Sequence, residues 1–151
     1  MTRLNALRAA VAAALLPAAF STYAQTDAAC AALLKYAPKD VNLKVLKATH
    51  DLNRQTPAGP RGPGVTLPAH CHVEGEIDRR TGVDGKSYAL RFAVNLPDNW
   101  NGRYLFQGGS GLNGSLGEPL GGVASGSQNA LARGFAVVST DSGHQGQGFD
   151  A

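Results

Sequence analysis

The residues best placed for chemistry lie in one stretch, Trp100-Asn-Gly-Arg-Tyr-Leu-Phe-Gln-Gly-Gly-Ser-Gly-Leu-Asn-Gly-Ser115. Asn-Gly is a turn dipeptide, and the aromatic, apolar run after it reads as a short strand. That strand runs directly into Gly108, Gly109, Ser110, Gly111 and Gly114. A glycine cluster at the C-terminal end of a strand is where an open α/β sheet places a ligand, because backbone N–H groups can approach it with no Cβ in the way. Two chemistries use such a loop. One cradles a pyrophosphate; the other stabilises the oxyanion of an acyl-transfer transition state.

The spacing Gly109-x-Gly111-x-x-Gly114 fits a dinucleotide fingerprint, and Asp141 at the end of a later strand could serve the ribose. Three features oppose it. A pyrophosphate needs a helix N-terminus at the third glycine, and Leu116-Gly-Glu-Pro-Leu-Gly-Gly122 cannot open a helix. Asp141 lies 141 − 114 = 27 positions past Gly114, further than the usual spacing of about 20. An exported chain, the third objection, meets little free dinucleotide. The oxyanion reading needs only a backbone N–H aimed at developing charge, worth about 3 kcal/mol in a transition state. A loop that merely turns the chain is the plain alternative.

No serine completes a nucleophile. Ser110, Ser115, Ser125, Ser127, Ser139 and Ser142 all lack the Gly-x-Ser-x-Gly elbow. Asp141, Ser142 and His144 share one short loop, too close together to form a nucleophile–base–orienter set. His70-Cys71-His72 has the residue types of a metal site. Neighbours on a strand face opposite ways, however, and no second cluster completes a tetrahedral set. No cofactor or metal is expected in this segment. Cys30 and Cys71 are an even count, which in an exported chain favours a disulfide over two buried free thiols.

Export is read from the N-terminus. Arg3 and Arg8 precede an apolar run over 9–20, and Thr22-Tyr-Ala24 offers a cleavage site before Gln25. The run is too short to span a bilayer. The 151 residues carry 14 Lys plus Arg against 11 acids, for a net +3. Cleavage after Ala24 would remove two arginines, leaving 12 − 11 = +1. With no basic cluster left, nucleic acid is not an expected partner. Asp78-Arg79-Arg80 reads as a solvated strand end.

The elements that must position the loop follow from pattern. Residues 27–36 predict a short helix capped by Asp27 and stopped by Pro38. Strands are expected over 41–52, 72–78, 87–96 and 104–107, the third showing the clearest alternation. Residues 56–68, with four prolines and three glycines, form a loop or covering segment. Residues 125–133 predict a short helix closed by Gly134, and 135–139 a strand buried on both faces. Antiparallel strands followed by a βαβ unit with a parallel pair make this an α/β chain.

Six segments, taken in order, resemble the N-terminal part of the tannase and feruloyl esterase family. They are Leu67-Pro-Ala-His-Cys-His-Val-Glu-Gly-Glu-Ile77, Arg80-Thr-Gly-Val-Asp-Gly85, Leu96-Pro-Asp-Asn-Trp-Asn-Gly-Arg103, Gln107-Gly-Gly-Ser-Gly-Leu-Asn-Gly-Ser115, Ala130-Leu-Ala-Arg-Gly-Phe-Ala136 and Ser139-Thr-Asp-Ser-Gly-His144. The resemblance implies the incomplete front of an α/β-hydrolase fold, belonging to an exported serine carboxylesterase. Its substrates would be small aromatic acyl esters of galloyl, feruloyl or terephthaloyl type. Gly111, with Gly109 and Ser110 beside it, matches the glycine whose N–H forms half of the oxyanion hole. Cys30 and Cys71 match a family disulfide. Asp141 and His144 match a stretch read as loop architecture.

The implied organisation is a signal peptide over 1–24, a disulfide-tied segment over 25–71, and the start of a catalytic domain over 72–151. The family's nucleophile, its Asp and His partners and its calcium-bearing lid have no counterpart here. The chain therefore reads as a fragment that is inactive alone, with no membrane association after cleavage. A small exported binding module is the alternative from another class. The residues do not specify oligomeric state.

Overall fold

The structure is a computed structural model that describes residues 27–56, 64–108, 114–122 and 128–144. The export segment lies outside these residues, as do Gly109, Ser110 and Gly111.

Apolar–polar alternation produces a long antiparallel meander: β1 (Leu43–Asp51), β2 (His70–Thr81) and β3 (Ser87–Pro97). The chain then forms β4 (Tyr104–Gln107) and returns as β5 (Ala136–Thr140) between β3 and β4. The sheet order is β1-β2-β3-β5-β4, with β5 antiparallel to β3 and parallel to β4. This is a five-stranded mixed sheet with the expected antiparallel start and parallel pair, compatible with part of an α/β fold. β5 lies inside the sheet, so its unalternating run Ala-Val-Val-Ser is largely buried.

The two sheet faces do different work. One carries Val45, Cys71, Val73 and Phe92, which form a core with Cys30 from α1 (Asp27–Ala32) and with Leu33 from the 3₁₀ turn Leu33–Lys35. A bulge between Val45 and Lys47 shifts the register of β1, so that Ala48 joins Val45 against this core. A second bulge after Ile77 coincides with Asp78 at φ 53°. The exposed end of β2 that follows includes Arg79 and Arg80. Toward β4 this face is open among the described residues, with Tyr104 61% and Phe106 54% exposed.

The opposite face holds a second core of Leu67, Ala130, Leu131 and Val137, with Leu105, Leu120 and Phe135 around it. It is covered by loop 116–122 and by a turn over 129–134. Here two expectations change. The helix expected over 27–36 is only six residues long before the 3₁₀ turn, because tertiary ties rather than helix propensity hold it. The helix expected over 125–133 is, in its described part, a single turn. Asn129 Oδ1 accepts the Ala132 N–H at 2.7 Å, and Arg133 N–H reaches the Asn129 and Ala130 carbonyls. Asn competes for backbone donors in this way and favours turns. Gly134, at φ 81°, closes the turn as expected.

Candidate active site

β4 and β5 run side by side in register, Leu105 opposite Val137 and Gln107 opposite Ser139. The glycine-rich segment after Gln107 and the turn after Thr140 therefore leave the same end of the sheet, at the carboxyl ends of a parallel pair. Open α/β sheets bind their ligands at such ends. A Cβ built on Gly108 would meet nothing within 4 Å, so packing among the described residues does not demand glycine there.

Beyond the glycine run the chain returns as a strap over 116–122, and side chains from three strands hold it. Ser139 Oγ donates to the Gly117 carbonyl, Gln107 Nε2 to the Glu118 carbonyl at 3.1 Å, and Asn95 Nδ2 to the Pro119 carbonyl at 3.1 Å. Gln107 Oε1 also accepts the Gly121 N–H at 2.7 Å. Three successive carbonyls are thus caught by one face of the sheet. Asn95 is fully buried, so its amide gains from complete hydrogen bonding and would be costly to leave unpaired.

The network extends toward β1. His72 Nδ1 lies 2.6 Å from Asn95 Oδ1, and Nε2 lies 2.9 Å from Glu74 Oε1. The bond to His72, reinforced by Lys47 at 3.3 Å, holds the Glu74 carboxyl below its ordinary value despite partial burial. Arg54 forms a bidentate pair with Glu118, both contacts at 2.8 Å. Together these groups line a cleft of about 590 Å³ whose far wall is Leu116 to Pro119. Lys47 and Arg54 in its lining are each matched to an acid, Glu74 and Glu118. The cleft is scaffold for the strap.

The His70-Cys71-His72 run divides between the two faces of β2. Cys71 faces the first core and pairs with Cys30, Cα to Cα 5.6 Å. His70 is fully buried and donates from Nδ1 to the Pro68 carbonyl at 2.7 Å. Among the described residues no three His, Cys, Asp or Glu side chains could hold a metal ion.

Asp141 is 1% exposed, and its Oδ1 accepts the N–H groups of Arg91 at 3.0 Å and Gly143 at 2.9 Å. Ser142 and Gly143 take positive φ, 58° and 77°, and His144 N–H returns to the Asp141 carbonyl. The three polar residues build a turn. The strap is not helical, and Asp141 is engaged in its own turn.

Sequence reasoning missed Asn95, Gln107 and Ser139 as a set. The readable signal was an asparagine inside the apolar strand Ala-Val-Asn-Leu. A polar residue there needs a partner.

Comparison with known proteins matches residues 71–151 to the family model described as tannase and feruloyl esterase. The chain belongs to that family. It is 48% identical over 79 residues to the mono(2-hydroxyethyl) terephthalate hydrolase of Piscinibacter sakaiensis, covering 52% of this chain and 13% of that protein. It is 36% identical over 84 residues to an uncharacterized esterase of Agrobacterium fabrum, covering 54% of this chain and 15% of that one. The matched stretch thus spans about a seventh of these relatives.

Proposed function

We propose that this chain is the N-terminal part of an exported serine carboxylic ester hydrolase acting on aromatic acyl esters of feruloyl, galloyl or terephthaloyl type. The observation that carries the reading is the family match over 71–151, which includes the glycine-rich segment leaving the end of β4. Relatives named as a hydrolase and an esterase support ester cleavage as the chemistry. In this reading residues 1–24 direct export, 25–71 form the disulfide-tied segment, and 72–151 begin an α/β-hydrolase domain.

The chain's own contribution is the backbone N–H of Gly111. As the carbonyl carbon becomes tetrahedral, negative charge moves onto its oxygen, and a preplaced N–H stabilises that charge without reorganising. Gly109 and Ser110 precede Gly111 in the sequence. Nucleophile, base and orienting acid come from residues beyond these 151, so residues 25–151 alone are inactive. The substrate is a small aromatic ester, and no cofactor enters the step assigned to this segment.

The test compares the complete protein with purified 25–151 on methyl ferulate and a p-nitrophenyl ester. Turnover by the complete protein and none by 25–151 is the expected result. Turnover by 25–151, or none by the complete protein on any aromatic ester, contradicts the proposal.

A further inference from the structure

One buried residue beneath the strap faces two hydrogen-bond acceptors at once. Antiparallel pairing sets Thr49, His72 and Asn95 side by side across β1, β2 and β3, and puts Glu74 opposite Lys47 on the same face. His72 is buried there. Its Nδ1 lies 2.6 Å from Asn95 Oδ1, and its Nε2 lies 2.9 Å from Glu74 Oε1. Asn95 cannot reverse its amide, because its Nδ2 donates to the Pro119 carbonyl at 3.1 Å. Glu74, whose carboxyl His72 and then Lys47 hold below its ordinary value, accepts as well. A neutral imidazole carries one N–H and one lone pair, so it satisfies only one of these neighbours. The doubly protonated ring satisfies both.

The bonds run in one direction, from the β1 edge toward the strap. Lys47 and His72 donate to Glu74, His72 donates to Asn95, and Asn95 donates to Pro119. A cationic donor strengthens the bond to Asn95 Oδ1. That bond polarises the amide, which makes its N–H a better donor to Pro119. Without the second proton, one ring nitrogen turns a lone pair toward an oxygen in a buried site, a costly arrangement.

The other charged or titratable groups facing this network are Asp51 on β1, Arg54 just after it, His70 on β2 and Glu118 on the strap. Arg54 and Glu118 satisfy each other. His70 gives its Nδ1 hydrogen bond to the Pro68 carbonyl, and its Nε2 stands 4.0 Å from Asp51 Oδ2. His72 is the histidine in the chain of bonds that ends on the strap.

We propose that His72 is a proton-operated clasp on the strap. Protonated on both ring nitrogens, it draws the strap against β3 through Asn95, and loss of one proton loosens that grip. The strap is the far wall of the cleft, so the device sets how firmly that wall is held as pH changes. Ser139, Gln107 and Arg54 keep their own holds, so the strap relaxes without leaving the sheet.

The experiment follows two readouts in the complete protein from about pH 5 to about pH 8, the interval in which histidine changes charge. Ring-nitrogen NMR shifts of isotope-labelled histidine, with His72 assigned by its loss in His72→Gln, count the protons on the imidazole. Hydrogen exchange of the peptide over 114–122, corrected for the intrinsic pH dependence of exchange, reports the strap. Strap protection is expected to fall roughly 3- to 10-fold as the second ring proton leaves, the worth of one net hydrogen bond. Glu74→Gln keeps an acceptor but removes the charge, so both transitions should move together to lower pH. His50→Gln, on the opposite face of the sheet, should leave both unchanged.

Strap protection that stays constant while His72 titrates overturns the proposal. So does a His72 ring whose proton count is the same throughout the interval. A strap response that keeps its original pH in Glu74→Gln, or that vanishes in His50→Gln, also overturns it. Should His72→Gln fail to fold, Glu74→Gln, at a half-buried site, both assigns the resonance by its shift and decides the matter.

Discussion

His50 Nε2 sits 3.0 and 3.1 Å from the two carboxylate oxygens of Asp98, so one imidazole edge spans a whole carboxylate. The other ring nitrogen, Nδ1, lies 2.7 Å from Asp27 Oδ1. Carboxylates accept, so the protonated ring donates from both nitrogens and links α1 to the corner after β3. The bonds to Asp27 and then Asp98 raise its pKa above the ordinary value of 6.5, and burial opposes them. A raised folded pKa means stabilisation is fully present below the unfolded value and is lost as pH rises through the folded one. The melting temperature should therefore fall as pH climbs from about 6.5. His50→Gln should be less stable at pH 6 and show a flatter slope above it. Parallel melting curves for the two proteins across that range would contradict this.

The Cys30–Cys71 bridge closes a separation of 41 positions and ties α1 to β2 within the first core. Loop entropy assigns it about 4 kcal/mol. Replacing both cysteines with serine should lower the free energy of unfolding by about that amount, measured by denaturant titration. Reductant should mimic the effect in the parent protein. Two titratable thiols in protein purified from an oxidising compartment would refute the pairing.

Gly121 has φ 67°, and a Cβ there would lie 2.6 Å from Ala130 Cβ and 2.7 Å from Leu105 Cδ2. Gly121→Ala meets both backbone strain and a clash against the second core. It should cost more than about 1 kcal/mol. A variant as stable as the parent would show the strap to be more pliant than its contacts indicate.

Leu131 is fully buried at the centre of that core. Leu131→Ala should destabilise by about 2–5 kcal/mol through lost transfer energy and the cavity left behind. Differential scanning calorimetry measures this directly. A loss under about 1 kcal/mol would mean the strap and turn collapse into the space.

Much of the sheet was legible because its signals are local. The alternation along 87–96 predicts β3, and the run at 135–139 predicts a strand buried on both faces. Gly134 predicts the end of the element before it, read as a helix and found as a turn in its described part. What sequence could not specify depends on the meeting of distant residues. The bulge at Val45/Lys47 changes which side chains of β1 face the core, and only pairing with β2 determines it. The described part of the expected helix is a turn at 129–134, where the Asn129 side chain captures the Ala132 N–H. His50 reads as an ordinary strand residue until Asp27 and Asp98, 23 and 48 positions away, arrive beside it. The strap's three anchors are likewise scattered over 95, 107 and 139. The assignment of Gly111, with Gly109 and Ser110 beside it, rests on the family resemblance, and these residues lie outside the described ones.

The central claim is that the N–H of Gly111 stabilises an ester-hydrolysis oxyanion. The most direct test is kcat for an aromatic p-nitrophenyl ester by the complete protein, with and without Gly111→Pro, each variant checked for a cooperative melt. The account predicts a fall in kcat of about 100- to 1,000-fold with KM little changed. An unchanged kcat in a folded Gly111→Pro protein would contradict it.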